Sequence, residues 1–143
     1  MSQQNETRGA YPHFLAIPTR WTDNDAFGQV NNVVYYSYFD TAINSYLMHV
    51  AGVDARVDRV VGQVVESSCR YHRAICFPEV VDAGLRVGHL GNASVRYEVG
   101  LFRHDEDKAA ASGYFVHVFV DRVIGKPAAI PPPLRACLER LRP

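Results

Sequence analysis

Apolar positions recur along one stretch of the chain with the period of an α-helix. Tyr35, Phe39, Ala42, Ile43, Tyr46, Leu47 and Val50 are separated by steps of three, four and seven. Such a stripe predicts a helix over roughly residues 32–51. Asn31 or Asn32 suits its start as a cap, and Gly52 suits its end. Asp40, Thr41, Asn44 and Ser45 fall on the other side.

Elsewhere the period is two. Residues 13–20 form a first predicted strand, with Pro18 pointing to an edge or an irregularity. After the helix come a run over 61–74, closed by Pro78, and then an alternating pair. Leu85, Val87 and His89 alternate with Arg86 and Gly88; Val95, Tyr97, Val99 and Leu101 alternate with Arg96, Glu98 and Gly100. Gly91-Asn92 between them is a turn signal, so the pair is a predicted hairpin with one buried face. A charged turn over 103–108 leads to a last strand over 109–123, with Tyr114, Val116, Val118 and Val120 on one face. Pro131-Pro132-Pro133 stops it, and a short helix from Leu134 to Leu141 follows. One long helix and about five antiparallel strands predict an α+β fold with the helix covered by the sheet.

Composition adds bounds. The chain has 143 residues, 48% of them hydrophobic, enough for one domain with its own core. No repeat, low-complexity tract or long linker divides residues 1–143. The polar residues 1–10 are expected to fray, and 132–143 to form a C-terminal tail. Lys plus Arg and Asp plus Glu are both 15, giving a formal net charge of zero. That argues against a general nucleic-acid binder. No apolar run approaches the about 18 residues of a membrane span, and no signal-peptide pattern is read at the start. Three cysteines at irregular spacing form no disulfide framework, and a cytoplasmic location is expected.

The candidate chemistry lies just before the helix. Residues 20–35 read Arg-Trp-Thr-Asp-Asn-Asp-Ala-Phe-Gly-Gln-Val-Asn-Asn-Val-Val-Tyr. Two carboxylates, Asp23 and Asp25, precede a glycine and two asparagines. Free N–H groups at a helix start hold negative charge. A carboxylate beside them can attack a carbonyl or deprotonate a water. As a plain structural alternative, Asp25 caps a turn and the asparagines cap the helix.

This segment resembles the signature of hotdog-fold acyl-CoA thioesterases of the 4-hydroxybenzoyl-CoA thioesterase-like family, Asp-x-Asp-x-x-Gly-His-Val-Asn-Asn with a Tyr three residues later. Asp23, Asp25, Gly28, Val30, Asn31, Asn32 and Tyr35 fit it; Gln29 stands where His is usual. Asp40 falls where the family carries an acidic residue. Val118–Pro127, with Ile130-Pro131, looks like the family's last strand and its exit. The similarity spans about residues 13–131.

The resemblance implies a hotdog fold, two subunits joined edge to edge in one sheet, and a site at their interface. It implies hydrolysis of an acyl-CoA by Asp25 as nucleophile or general base, with the Asn32 backbone N–H polarising the carbonyl. Gly28, Gln29, Val30, Asn31 and Tyr35 would meet the substrate, Gln29 by positioning rather than by moving a proton. Asp23 is assigned to holding the loop. Arg70, Arg73 and Arg122 are candidates for the phosphates of CoA, since guanidinium suits that geometry. No cofactor is implied. Cys69, His72 and Cys76 superficially suggest a metal, but positions 69 and 72 of a strand point to opposite faces and no second ligand pair matches them, so no metal site is expected. A homodimer or a dimer-based homotetramer is expected. Two other readings remain open: hydrolysis of acyl groups on acyl carrier protein, and acyl-CoA binding without catalysis.

Overall fold

The computed structural model describes residues 6–143. In chain order the elements are β1 (His13–Pro18), α1 (Asn32–His49), β2 (Val60–Tyr71), β3 (Val80–Leu90), β4 (Ser94–Arg103), β5 (Ala111–Asp121), β6 (Lys126–Pro127) and α2 (Pro132–Glu139). Every strand pair is antiparallel, and the order across the sheet is β1-β3-β4-β5-β2, with the two-residue β6 beside β5. This is the expected α+β hotdog arrangement, one long helix wrapped by an antiparallel sheet.

The period-two pattern decides which face meets the helix. Val81, Ala83, Leu85 and Val87 of β3 are buried, as are Val95, Tyr97, Val99 and Leu101 of β4. They join the helix residues Tyr35, Tyr38, Phe39, Ala42, Ile43, Tyr46 and Leu47 in one core. Each buried Val, Leu, Ile or Phe among them contributes about 1.5–3 kcal/mol by leaving water. Helix and sheet come very close at Gly113, where a Cβ would stand 2.1 Å from the Ser68 carbonyl oxygen and 2.6 Å from Phe39. Only glycine fits that crossing.

Several expectations shift. On β5 the inward face carries Phe115, His117 and Phe119, while Tyr114, Val116, Val118 and Val120 lie half-buried on the other. Val50 is exposed instead of closing the helix stripe, because α1 stops at His49; Tyr38, outside the apolar spacing, is buried. Residues 6–10 do not fray. Thr7 bridges Lys108, and Arg8 pairs with Asp82 at 3.0 Å; the remainder of that expectation falls on residues 1–5, outside the described ones. The tail is also tied down: Leu134, Leu138 and Leu141 are buried, and Tyr46 donates a 2.6 Å hydrogen bond to the Cys137 carbonyl.

The two sheet edges differ. β1 is short, six residues ending in a proline, a common way of blunting an edge. β2 is twelve residues long and its 62–67 stretch is exposed, with Val64 at 49% and Val65 at 61% of full exposure. No helix of the described residues is long and apolar enough to cross a membrane.

Candidate active site

The loop between β1 and α1 is built around Asp23. Its carboxylate is only 1% exposed. Oδ2 accepts from the Arg20 backbone N–H at 2.9 Å and from the Tyr38 hydroxyl at 2.8 Å, and Oδ1 accepts from the Arg20 guanidinium at 2.9 and 3.1 Å. The Asp23 carbonyl accepts from Asn31 N–H at 2.8 Å. Burial pushes this carboxyl up, but the bonds from the Arg20 backbone, Tyr38 and the Arg20 side chain outweigh it and hold it below the usual carboxylate range. Asp23 thus ties together the loop, the helix start and Tyr38 further along the helix.

Asp25 is different. It sits at the head of a tight turn in which its N–H donates to the Gln29 carbonyl at 2.7 Å and Gly28 N–H donates back to its carbonyl at 3.2 Å. Gly28 has φ of +81°, the left-handed region that a side chain would strain. Asp25 Oδ1 accepts from Phe27 N–H at 2.8 Å and Gln29 N–H at 3.3 Å, whereas Oδ2 has no hydrogen-bond partner among the described residues. Val30 is buried and its N–H donates to the Ile75 carbonyl at 2.7 Å, which fastens the turn to the 72–76 segment.

The helix then starts as the capping rules require. Asn31 is the N-cap, its side chain accepting from Val33 N–H at 3.1 Å. Asn32 is the first helical residue, and its N–H has no acceptor among the described residues. That donor carries the positive end of an 18-residue helix. Tyr71 at the end of β2 donates to the Asn32 carbonyl at 3.1 Å, and its ring meets Tyr35 edge-on at 4.9 Å. Burial raises the Tyr71 phenol to about 12 and raises Tyr35 as well, so both stay neutral.

Asp25, Gln29, Val30, Asn32, Tyr35, Tyr71, His72, Arg73 and Ala74 line one open cleft of about 350 Å³. Six residues singled out in the sequence therefore meet, with Gly28 and Asn31 shaping the backbone beside them. Two of the proposed phosphate ligands do not. Arg70 points to the opposite sheet face, beside Ser68, Arg96 and Tyr114. Arg122 lies at the far end of β5, where its guanidinium donates to the carbonyls of Ala55 and Asp58. β2 ends at Tyr71, between Arg70 and Arg73, so no strand holds the two arginines on one face. Arg73 itself donates to the Ala109 carbonyl at 3.1 Å. His72 turns its ring to Ser112 at 3.0 Å.

Tyr71 is the residue whose part at the site the sequence left unassigned. Its signal was the strand alternation that puts Cys69 and Tyr71 on the helix side. Among the described residues, no group of three or more His, Cys, Asp and Glu is placed to hold a metal ion.

The chain is similar to proteins of known structure. The PA5185 protein of Pseudomonas aeruginosa PAO1 is 50% identical, each chain covering 96% of the other, with a TM-score of 0.93. A thioesterase from Thermus thermophilus, solved in complex with coenzyme A and zinc, is 28% identical over 94% of this chain and 98% of its own, with a TM-score of 0.77. The DHNA-CoA thioesterase of Staphylococcus aureus shares the fold at 19% identity, a TM-score of 0.73, and coverage of 81% and 78%. No protein of curated function matches the chain in sequence. Residues 19–138 match the thioesterase-like superfamily, and the chain belongs to that hotdog-fold family.

Proposed function

We propose that this protein hydrolyses acyl-CoA thioesters in the Asp25 cleft. The observation that carries the reading is the pairing of a half-engaged carboxylate with an unengaged helix N-terminus on one cleft. The thioester carbonyl oxygen would take the Asn32 N–H, a preorganised donor of the kind worth about 3 kcal/mol to a developing oxyanion. Asp25 Oδ2 then has two routes. As nucleophile it bonds to the carbonyl carbon, the C–S bond breaks, the thiolate leaves, and water hydrolyses the anhydride. As general base it takes a proton from water, whose oxygen bonds to the same carbon; the C–S bond breaks and the thiolate leaves, taking up the proton as the free acid forms.

Gln29 fits this scheme without a proton-transfer role. Both of its bonds to Asp25 are made by its backbone, which any residue supplies. Arg73 at the cleft is the best-placed cation for a CoA phosphate. CoA bound to the Thermus thioesterase supports CoA over a carrier protein as the thiol carrier. The long exposed β2 edge favours pairing with a second copy, which would put a second subunit beside the cleft.

The test is thiol release. Wild-type protein is offered one acyl group on CoA and on acyl carrier protein. Release from CoA at the higher kcat/KM is expected. Faster release from the carrier protein would replace the substrate, and binding without release from either would make this a binding domain.

A further inference from the structure

Tyr71 closes β2 with a bond that the helix does not require. Its hydroxyl donates to the Asn32 carbonyl at 3.1 Å. The helix already uses that carbonyl, since α1 begins at Asn32 and its oxygen takes the N–H four residues on. The Tyr71 ring meets Tyr35 edge-on at 4.9 Å, and Tyr35 is only 3% exposed. Tyr71 itself keeps 46% of its surface open, on the cleft that also holds Asp25 and Asn32. A residue that open adds less to the core than Tyr35 does. What sets it apart is the hydroxyl.

That hydroxyl stays a donor. Cys69, on the same face of β2, lies beside it. Burial pushes the Cys69 thiol up to about 11 and the Tyr71 phenol up to about 12. Both stay protonated near neutral pH, so no thiolate draws the phenol proton away from the Asn32 carbonyl.

The helix start is thus held from two sides. On the loop side, Asn31 N–H donates to the Asp23 carbonyl at 2.8 Å, and the Asn31 side chain accepts from Val33 N–H at 3.1 Å. These bonds fix the residues before and after Asn32. On the sheet side, Tyr71 fixes Asn32 itself and ties it to a strand paired with β5 as far as Tyr71 and Ala111. Between the two anchors is the Asn32 N–H, which has no acceptor among the described residues. Helix ends fray, and their first N–H groups lack helical partners. A donor stabilises developing charge most when it is already in place and does not reorganise.

We propose that Tyr71 is a positioning residue for thioester hydrolysis: its hydroxyl locks the first residue of α1 to the end of β2, so that the Asn32 N–H meets the developing oxyanion without reorganising. The inference rests on the thioesterase reading. Tyr71 touches no reacting atom in this role and acts through Asn32.

The test is Tyr71→Phe, which keeps the ring against Tyr35 and removes only the hydroxyl. A panel of straight-chain and aromatic acyl-CoAs is offered to wild type, and the best substrate is used for both proteins. Thermal melts should shift only slightly, because the Asn32 carbonyl keeps its helix bond. The kcat should fall about tenfold, less than the 10²–10³-fold expected for losing such a donor outright. KM should be unchanged and the pH profile of kcat should keep its shape, as for an interaction made only in the transition state. A second readout needs no turnover. Backbone relaxation by NMR should show the Asn32 N–H as rigid in wild type, with an order parameter of about 0.85, and clearly looser in Tyr71→Phe, with residues 40–49 unchanged. A kcat within about twofold of wild type, an effect on KM alone, an altered pH profile, or unfolding that accounts for the lost rate overturns the proposal and leaves thioester hydrolysis standing. If wild type hydrolyses no acyl-CoA, the thioesterase reading has failed, and the Asn32 order parameter decides the clamp alone. A drop in Tyr71→Phe supports it, and an unchanged value overturns it.

Discussion

The two ends of α1 solve opposite problems. At the N-terminal end, the proposed chemistry rests on backbone geometry: Asp25 is aimed by N–H groups of Phe27 and Gln29, and the Asn32 N–H has no acceptor among the described residues. The Gln29 side chain stands outside the bonds that aim Asp25, while the side chains of Asp23 and Asn31 hold the loop and the helix start. At the C-terminal end α1 borders a cavity of about 390 Å³ with a mostly apolar wall, and one buried side chain there, His117, has no hydrogen-bond partner for either ring nitrogen.

Among changes away from Asp25, the largest effect should come from separating two copies of the chain. Val65→Lys puts a charge in the middle of the exposed β2 edge, a standard device against edge pairing. Size-exclusion chromatography with light scattering should show the assembly falling to the 16.0 kDa of one chain. Thioester hydrolysis should drop on the order of 10²-fold, the scale expected when a reacting group is misplaced. A wild-type chain already at that mass would contradict the shared site.

Asp23→Asn attacks the scaffold of the N-terminal end. It removes the charge that Arg20 and Tyr38 satisfy, and about 1.5–3 kcal/mol of stability should go with it, read from urea unfolding. Turnover per folded molecule should change much less.

Acid separates the ends by pH window. Burial lowers His13, His72 and His117, so the unfolded chain binds their protons more readily. Their neutral forms support stability above about pH 6.5, and that support is lost as pH falls below it toward the folded pKa values. Asp23, held low, adds stability above about pH 4 that is lost only as pH falls through its lower folded value. Thermal melts from pH 7 to pH 3 should therefore decline in two stages. His117→Leu should flatten the first, and Asp23→Asn the second.

Gln29→His should do least, a change within a few-fold in kcat/KM at pH 7, because the Asp25 bonds run through the backbone of residue 29. A gain on the order of 10²-fold, the scale of general acid–base help, would show that the imidazole takes part in proton transfer.

Much of this was legible in the chain because periodicity and turn chemistry act locally. The stripe from Tyr35 to Leu47, the Gly91-Asn92 turn and the Asp25–Asn32 run each state their own structure. What stayed hidden depended on contacts distant in sequence. Tyr38 breaks the apolar spacing because it answers Asp23, fifteen residues away. Arg122 reads as a ligand cation until the 55–58 loop folds under it. His117 sits in an alternating strand whose inward face is set by pairing with β2 and β4, so neither its burial nor its lack of partners could be read from its neighbours. Residues 6–10 look like a loose polar end until Arg8 meets Asp82.

Everything proposed for the cleft depends on Asp25. Steady-state release of CoA from an acyl-CoA should be measured for wild type and Asp25→Asn, with circular dichroism confirming that both are folded. The substitution keeps the acceptor that holds the turn and removes the charge that reacts. A fall in kcat on the order of 10²–10⁴-fold with substrate binding retained is the expected result. A rate within a few-fold of wild type would remove this cleft from the chemistry.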